Sequence, residues 1–242
     1  MLATERNVAA LWIAQVVIFA VGWLGPWRDA PARATNGRLP LAARMLLSLS
    51  LVWAAWLIWQ HSGSEFTAYA RLVFLGMAAS FVGDLIMARL LPLPNRLIGG
   101  MLAFGTAHAL YIGGYVRVVH VHGASVANPG LWLGLVGYTA CSLGGWWLLI
   151  RNPRKGTAVN AGALVYGTWI GVMAAFALAL AVGLGGTWWI AACGGLLFVI
   201  SDFLIGITNI RGRRIANAND WIWLTYVAGQ MGIVYAPWVA AG

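Results

Sequence analysis

Long apolar stretches, broken by short connections that carry charge or proline, dominate this chain and leave it few ways to fold. A bilayer core about 30 Å thick is crossed by a helix of about 20 apolar residues. Inside lipid every backbone N–H and C=O must be paired within the protein, so stretches of this length are expected to be helices. Laid along the sequence, that length picks out eight spans, at 8–25, 40–60, 67–91, 97–119, 129–150, 157–183, 187–210 and 219–240. Pro40 and Pro129 open their spans, where a missing N–H is harmless, while Pro26, Pro92, Pro94 and Pro153 fall between spans. The first span has no small-residue cleavage site and is followed by a charged loop, which reads as a retained helix and not a signal peptide. The expected fold is all-α: a polytopic membrane protein, one membrane domain over residues 1–242, built as a bundle of eight transmembrane helices. Composition excludes the alternatives. Charged residues make up 9% of the chain and apolar ones 61%, whereas a soluble domain carries about 25% charged residues and a disordered one still more. Cys141 and Cys193 both lie in apolar runs, which argues against a disulfide framework or a zinc site.

Charge orients the bundle. Arg28, Arg33 and Arg38, then Arg89 and Arg96, then Arg151, Arg154 and Lys155, then Arg211, Arg213 and Arg214 occupy the odd-numbered loops. With Arg44 just inside span two, twelve of the fifteen basic residues fall on one side, and Arg6, Arg71 and Arg117 mark the other. By the positive-inside rule the odd loops are cytoplasmic and both termini lie outside, in a multi-pass protein of the cell membrane. The net charge of +9 thus reads as topology, and its dispersal over short loops argues against a nucleic-acid partner. Trp12, Trp23 and Trp27 bracket span one as interfacial anchors, and Gly167 and Gly171 suit a close helix contact. Gly83-Asp84-Leu85-Ile86 in span three is echoed by Ser201-Asp202-Phe203-Leu204 four spans later, the pattern of a 4+4 parallel repeat.

Two residues are out of place in such a bundle. Glu5, Asp29, Glu65 and Asp220 sit at termini, loops or span ends, but Asp84 and Asp202 lie well inside apolar helices. A carboxylate at the bilayer centre costs about 2.5–3.5 kcal/mol on insertion scales, so both should face the bundle interior. Spans three and seven run in the same direction, and each acid stands about seven or eight residues before the cytoplasmic end, at a shared depth near 10 Å. If the helices are neighbours, one carboxyl keeps its proton. The plain structural alternative is a pair of acids that hydrogen-bond and fix helix packing. Other polar groups suit the same cavity: His108 and Tyr111 on one face of span four, Tyr166 in span six with Asn160 nearer the cytoplasm, and Tyr226 and Gln230 on one face of span eight. His61, His120 and His122 lie near the outer interface. With one intramembrane histidine, neither a metal site nor another cofactor is expected.

These residues fall in a familiar order. Ser80-Phe81-Val82-Gly83-Asp84-Leu85, then Gly100, Phe104, His108 and Tyr111 at their spacing, Val165-Tyr166, Leu196-Leu197-Phe198-Val199-Ile200-Ser201-Asp202-Phe203-Leu204, and Thr225-Tyr226-Val227-Ala228-Gly229-Gln230 together resemble the YhhN family of membrane lysoplasmalogenases. The likeness spans about residues 71–235. It implies an eight-helix enzyme that hydrolyses the vinyl ether bond of lysoplasmalogens to a fatty aldehyde and glycerophospho-ethanolamine or -choline. It also implies that Asp84 and Asp202 are the residues tied to activity. The second motif continues Phe-Leu-Ile-Gly where the family more usually ends in Leu-Ala. The chemistry suits two acids. One protonates the vinyl β-carbon, and the other stabilises the resulting oxocarbenium ion or activates water, as in glycoside hydrolysis. His108, Tyr111, Asn160, Tyr166, Tyr226 and Gln230 are then candidates to position water and substrate, and Arg89, Arg96, Arg211 and Arg213 to hold the headgroup phosphate. The partners would be a lysophospholipid substrate and the surrounding membrane lipids. A proton-coupled transporter or lipid flippase using the same acids as a relay is the competing reading.

Overall fold

The computed structural model describes residues 2–24 and 37–241, and every regular element among them is helical. The helices are α1 (Leu2–Leu24), α2 (Leu41–His61), α3 (Ser64–Met87), α4 (Arg96–Val121), α5 (Pro129–Gly145), α6 (Thr157–Leu184), α7 (Trp189–Ile205) and α8 (Ala218–Ala240). A wide π-type turn extends α5 over Trp146–Ile150 and another extends α7 over Gly206–Ile210. Seven of the described segments, all but α8, are long and apolar enough to cross a membrane. The chain is thus a multi-pass helical membrane protein in its architecture. Arg28, Arg33, Pro26, Trp27 and Asp29 lie outside the described residues.

Local chemistry sets the helix ends. The side chain of Asn95 accepts from the N–H groups of Leu97 and Ile98 to start α4, and Asn128 accepts from Leu131 N–H to start α5, with Pro129 in its first turn. Two helices depart from the expected spans: α1 begins at Leu2 and not at 8, and α3 runs Ser64–Met87 and not 67–91. Arg89 adopts a left-handed φ of 63°, and the N–H groups of Leu90 and Leu91 both turn back to the carbonyl of Leu85. That closure is a helix C-terminal motif of the kind glycine usually supplies. It stops α3 before Pro92 and Pro94 and places Asp84 in the last turn of its helix, not seven residues from the end.

Six helices close a ring in the order α2, α3, α4, α6, α7, α8, with α1 packed outside on α2 and α5 outside on α6. The main buried core lies within this ring and runs from Leu47 and Leu51 of α2 through Tyr69 and Met77 of α3, Tyr111 and Tyr115 of α4 and Met173 of α6 to Ile233 of α8. The tightest crossing is between α7 and α8. A Cβ on Gly194 would stand 2.7 Å from the carbonyl oxygen of Gly229, and one on Gly232 would stand 2.7 Å from that of Ile190. Only glycine lets these two backbones meet, as small residues do in membrane bundles. The Gly167–Gly171 pair contributes less than its spacing suggests: Gly171 abuts Tyr138 of α5, but Gly167 faces open space.

Candidate functional site

The ring brings polar groups from all six of its helices together, towards the starts of α2 and α8. Asp84, 5% exposed, accepts on one carboxylate oxygen, Oδ2, from Ser48 Oγ of α2 at 2.5 Å and Tyr226 OH of α8 at 2.7 Å. One turn deeper, Gln230 Nε2 donates to Ser80 Oγ at 3.1 Å and Tyr111 OH donates to Gln230 Oε1 at 2.8 Å. Ser80 and Asp84 share a face of α3, and Tyr226 and Gln230 a face of α8, because residues four apart are neighbours on a helix. Asp202 of α7 is half-buried and, among the described residues, accepts from one group, the Tyr166 hydroxyl of α6, at 3.1 Å. Asp84 stands three residues before the last residue of α3, Met87, whereas α7 continues past Asp202 through its π-type turn to Ile210, eight residues on, as expected.

Both acids line one cleft of about 320 Å³. Its other walls include Arg44, Arg96, Thr208, Asn209, Asn219, Trp223 and Tyr226. A second, apolar slot of about 60 Å³ runs between α4, α6 and α7 along Met101, Trp146, Ile150, Ala163, Ile170 and Phe203, with Tyr166 in its wall. The two spaces share Met87, Phe104, Asp202 and Ile205, so Asp202 stands where they join, and Asp84 belongs to the polar cleft alone.

The sequence-derived candidates divide accordingly. Asp84, Asp202, Tyr166, Tyr226 and Arg96 line the cleft or the slot. Tyr111 and Gln230 form the deeper network behind Asp84. His108 is fully buried, its ring 4.8 Å from Phe198 and 5.9 Å from Tyr166, and neither ring nitrogen has a hydrogen-bond partner among the described residues. It touches no carboxyl. Asn160 is elsewhere. Its amide donates to the carbonyls of Asn152 and Lys155 and accepts from Asn152 N–H, which closes the turn before α6. Of the proposed phosphate-binding arginines, Arg89, Arg211 and Arg213 are exposed and lie off both spaces, and Arg211 is tied to the carbonyl of Arg151. No three His, Cys, Asp or Glu side chains cluster among the described residues.

Three site residues escaped the sequence reading. Ser48 is fully buried and holds Asp84, yet serine is common in apolar helices, where its hydroxyl bonds the preceding turn, so nothing marked it out from Ser50. Ser80 opens the motif that contains Asp84 but had no role of its own. Arg44 counted only towards topology. In comparisons with known proteins, the YhhN family matches residues 39–236. No curated protein and no solved structure matches the chain.

Proposed function

Since the chain belongs to the YhhN family, we propose that it hydrolyses the vinyl ether bond of lysoplasmalogens, yielding a fatty aldehyde and glycerophospho-ethanolamine or -choline. The observation that carries this reading is the pair of carboxyls in one cleft, beside a narrow slot whose walls are mostly apolar. In a vinyl ether the carbon that takes the proton lies on the chain side, and the carbon that water attacks lies on the glycerol side. With the chain in the slot, Asp202 at the junction is the acid and Asp84 in the polar cleft is its partner.

The cycle balances on these two groups. Asp202 gives its proton to the β-carbon, and the oxocarbenium ion forms beside the Asp84 carboxylate. Water adds to the cationic carbon and yields a proton to Asp84. Asp84 then protonates the glycerol oxygen while Asp202 takes the hemiacetal hydroxyl proton. The carbon–oxygen bond breaks, and both acids return to their starting states. Positioned acid–base groups of this kind contribute about 10²–10⁴-fold. Tyr166, Tyr226 and Ser48 hold the two carboxyls in place.

The same proposal takes α8 as an eighth span, the odd-numbered connections as cytoplasmic, and the chain as two parallel halves of four helices. Packing supports the repeat. α1 lies on α2 as α5 lies on α6, and α2–α3–α4 and α6–α7–α8 form the two arcs of the ring. Ser48 and Tyr166, one in each arc, each donate to the acid 36 residues later.

Mass spectrometry tests the reaction. Purified protein is incubated in D2O with lysoplasmenyl-ethanolamine or with its saturated ether analogue. The expected result is aldehyde carrying one deuterium beside the carbonyl, from the unsaturated lipid alone. Recovery of both lipids intact overturns the assignment, and their movement across proteoliposomes without chemical change would favour transport.

A further inference from the structure

The basic side chains of the polar cleft have no task in that chemistry, and their surroundings point to one. Arg44 stands in the first turn of α2 and Arg96 is the first residue of α4, and both line the cleft that holds Asp84 and Asp202. Neither guanidinium is within ion-pairing distance of a described carboxylate. Asp84 and Asp202 are bonded by hydroxyls instead. The carboxylate of Asp220 acts on Arg44 electrostatically without bonding it: its Oδ1 accepts from the N–H groups of Arg38 and Leu39, and its Oδ2 is buried with no hydrogen-bond partner among the described residues.

Each arginine is held so that donors are left over. Arg44 lies over the indole of Trp223, 5.8 Å from the ring centre, and its Nε is buried with no hydrogen-bond partner. Arg96 spends one nitrogen, Nη1, on the carbonyl of Met87 at 3.0 Å, which fixes the side chain at the cleft wall. A buried N–H left unpaired is destabilising, and a guanidinium presents its donors in a planar fork that matches phosphate oxygens. The backbone adds to this. α2 begins at the cleft without a side-chain cap, which sets the positive end of its dipole beside Arg44; α8 begins there too but carries Asp220 in its first turn.

We propose that Arg44 and Arg96 form a phosphate subsite in the polar cleft, which takes the phosphodiester of a single-chain lipid whose hydrocarbon lies in the apolar slot. The proposal rests on reading the cleft and slot as a lipid site, not on turnover. It places the phosphate on Arg44 and Arg96 and not on Arg89, Arg211 or Arg213, whose side chains are exposed away from the cleft.

Equilibrium binding to the full chain in detergent tests this with three probes. They are a saturated hexadecyl ether lysophospholipid that cannot be cleaved, hexadecylglycerol with no phosphate, and inorganic phosphate with no chain. The wild-type protein is expected to bind the lysophospholipid at least tenfold more tightly than hexadecylglycerol. Arg44→Gln or Arg96→Gln should each weaken lysophospholipid binding about tenfold or more and leave hexadecylglycerol within twofold. Arg44→Lys should recover part of the loss, and Arg211→Gln should bind as wild type. Equal wild-type affinity for the two lipids overturns the subsite, as does an equal loss of both in the glutamine variants, or no loss. Inorganic phosphate binding as tightly as the lipid makes the ligand free phosphate and overturns the lipid assignment. Because no probe is hydrolysed, a failure to release aldehyde from the vinyl ether would count against the hydrolase alone.

Discussion

Asp84 and Asp202 stand at corresponding points of α3 and α7, yet their neighbours treat them differently. Two hydroxyls converge on a single oxygen of Asp84, and behind it Ser80, Tyr111 and Gln230 form a closed, fully buried set. Asp202 has one phenol, Phe203 and Ile205 beside it in the chain, and a place at the junction of the polar and apolar spaces. A carboxylate gripped by two donors is fixed in direction and suited to face a cation or orient water. A carboxyl with one donor, open to the slot, is suited to reach a carbon atom. Matched positions have therefore been fitted for unequal work.

Asparagine substitutions break the comparison most sharply. Asp84→Asn keeps a side-chain oxygen that accepts from Ser48 and Tyr226, so this variant should fold normally; the same reasoning holds for Asp202→Asn and Tyr166. Asp202→Asn leaves no acid at the junction, and aldehyde release should fall by about 10³-fold or more. Asp84→Asn should fall by about 10²-fold, with deuterium still incorporated into the residual product. Rates measured on variants of unchanged Tm decide the matter. A larger loss from Asp84→Asn would exchange the two roles, and full activity in both would remove the acids from the reaction.

The hydroxyls sharpen it further. Removing one donor from Asp84, by Ser48→Ala or Tyr226→Phe, should lower kcat about tenfold, near the worth of one hydrogen bond to a charged group. The double variant should lose more than the product of the two, because either donor alone still orients the carboxylate. Tyr166→Phe takes from Asp202 its one donor among the described residues and should slow turnover by at least as much, without a partner to buffer it. An additive double variant would mean that Ser48 and Tyr226 act separately.

Much of this arrangement could be read in the residues, and the reasons for the remainder are physical. Helix existence follows from apolar length, which is why six of the eight spans agree with the helices to within about two residues at each end when short flanking turns are included. The end of α3 depends on Arg89 taking a left-handed conformation that sequence does not favour for arginine. The two acids were legible because charge in an apolar helix is costly wherever it occurs. Ser48 and Arg44 were not, since serine is tolerated in apolar helices and arginine near a helix end is explained by topology. What made them part of the site is ring closure between α2 and α8, a contact that no local pattern encodes.

Among the described residues the buried set behind Asp84 has no hydrogen-bonded equivalent behind Asp202, so the two halves should differ in stability as well as in chemistry. Gln230→Leu keeps most of the volume but removes the best partner of Tyr111 OH and of Ser80 Oγ, which lie in fully buried side chains and are left with a 3.4 Å contact to each other and, for Tyr111, Met77 Sδ. Leaving such groups unsatisfied costs about 1–3 kcal/mol, visible as a lower Tm in detergent with kcat reduced only a few-fold. An unchanged Tm would mean that the Ser80–Tyr111–Gln230 set does not stabilise α3, α4 and α8 against one another.

The smallest effect belongs to a residue that the sequence placed at the site and the fold does not. Asn160 spends its amide on Asn152 and Lys155, and its carbonyl oxygen accepts from the indole N–H of Trp146. Asn160→Ala removes the side-chain bonds at the partly exposed turn before α6, where water can take their place, and should cost about 1 kcal/mol. Aldehyde release should stay within twofold of wild type, because the acids and their donors are untouched. A tenfold loss of kcat at unchanged Tm would restore Asn160 to the reaction. It would also mean that the turn it closes moves with the apolar slot, whose wall includes Trp146 and Ile150.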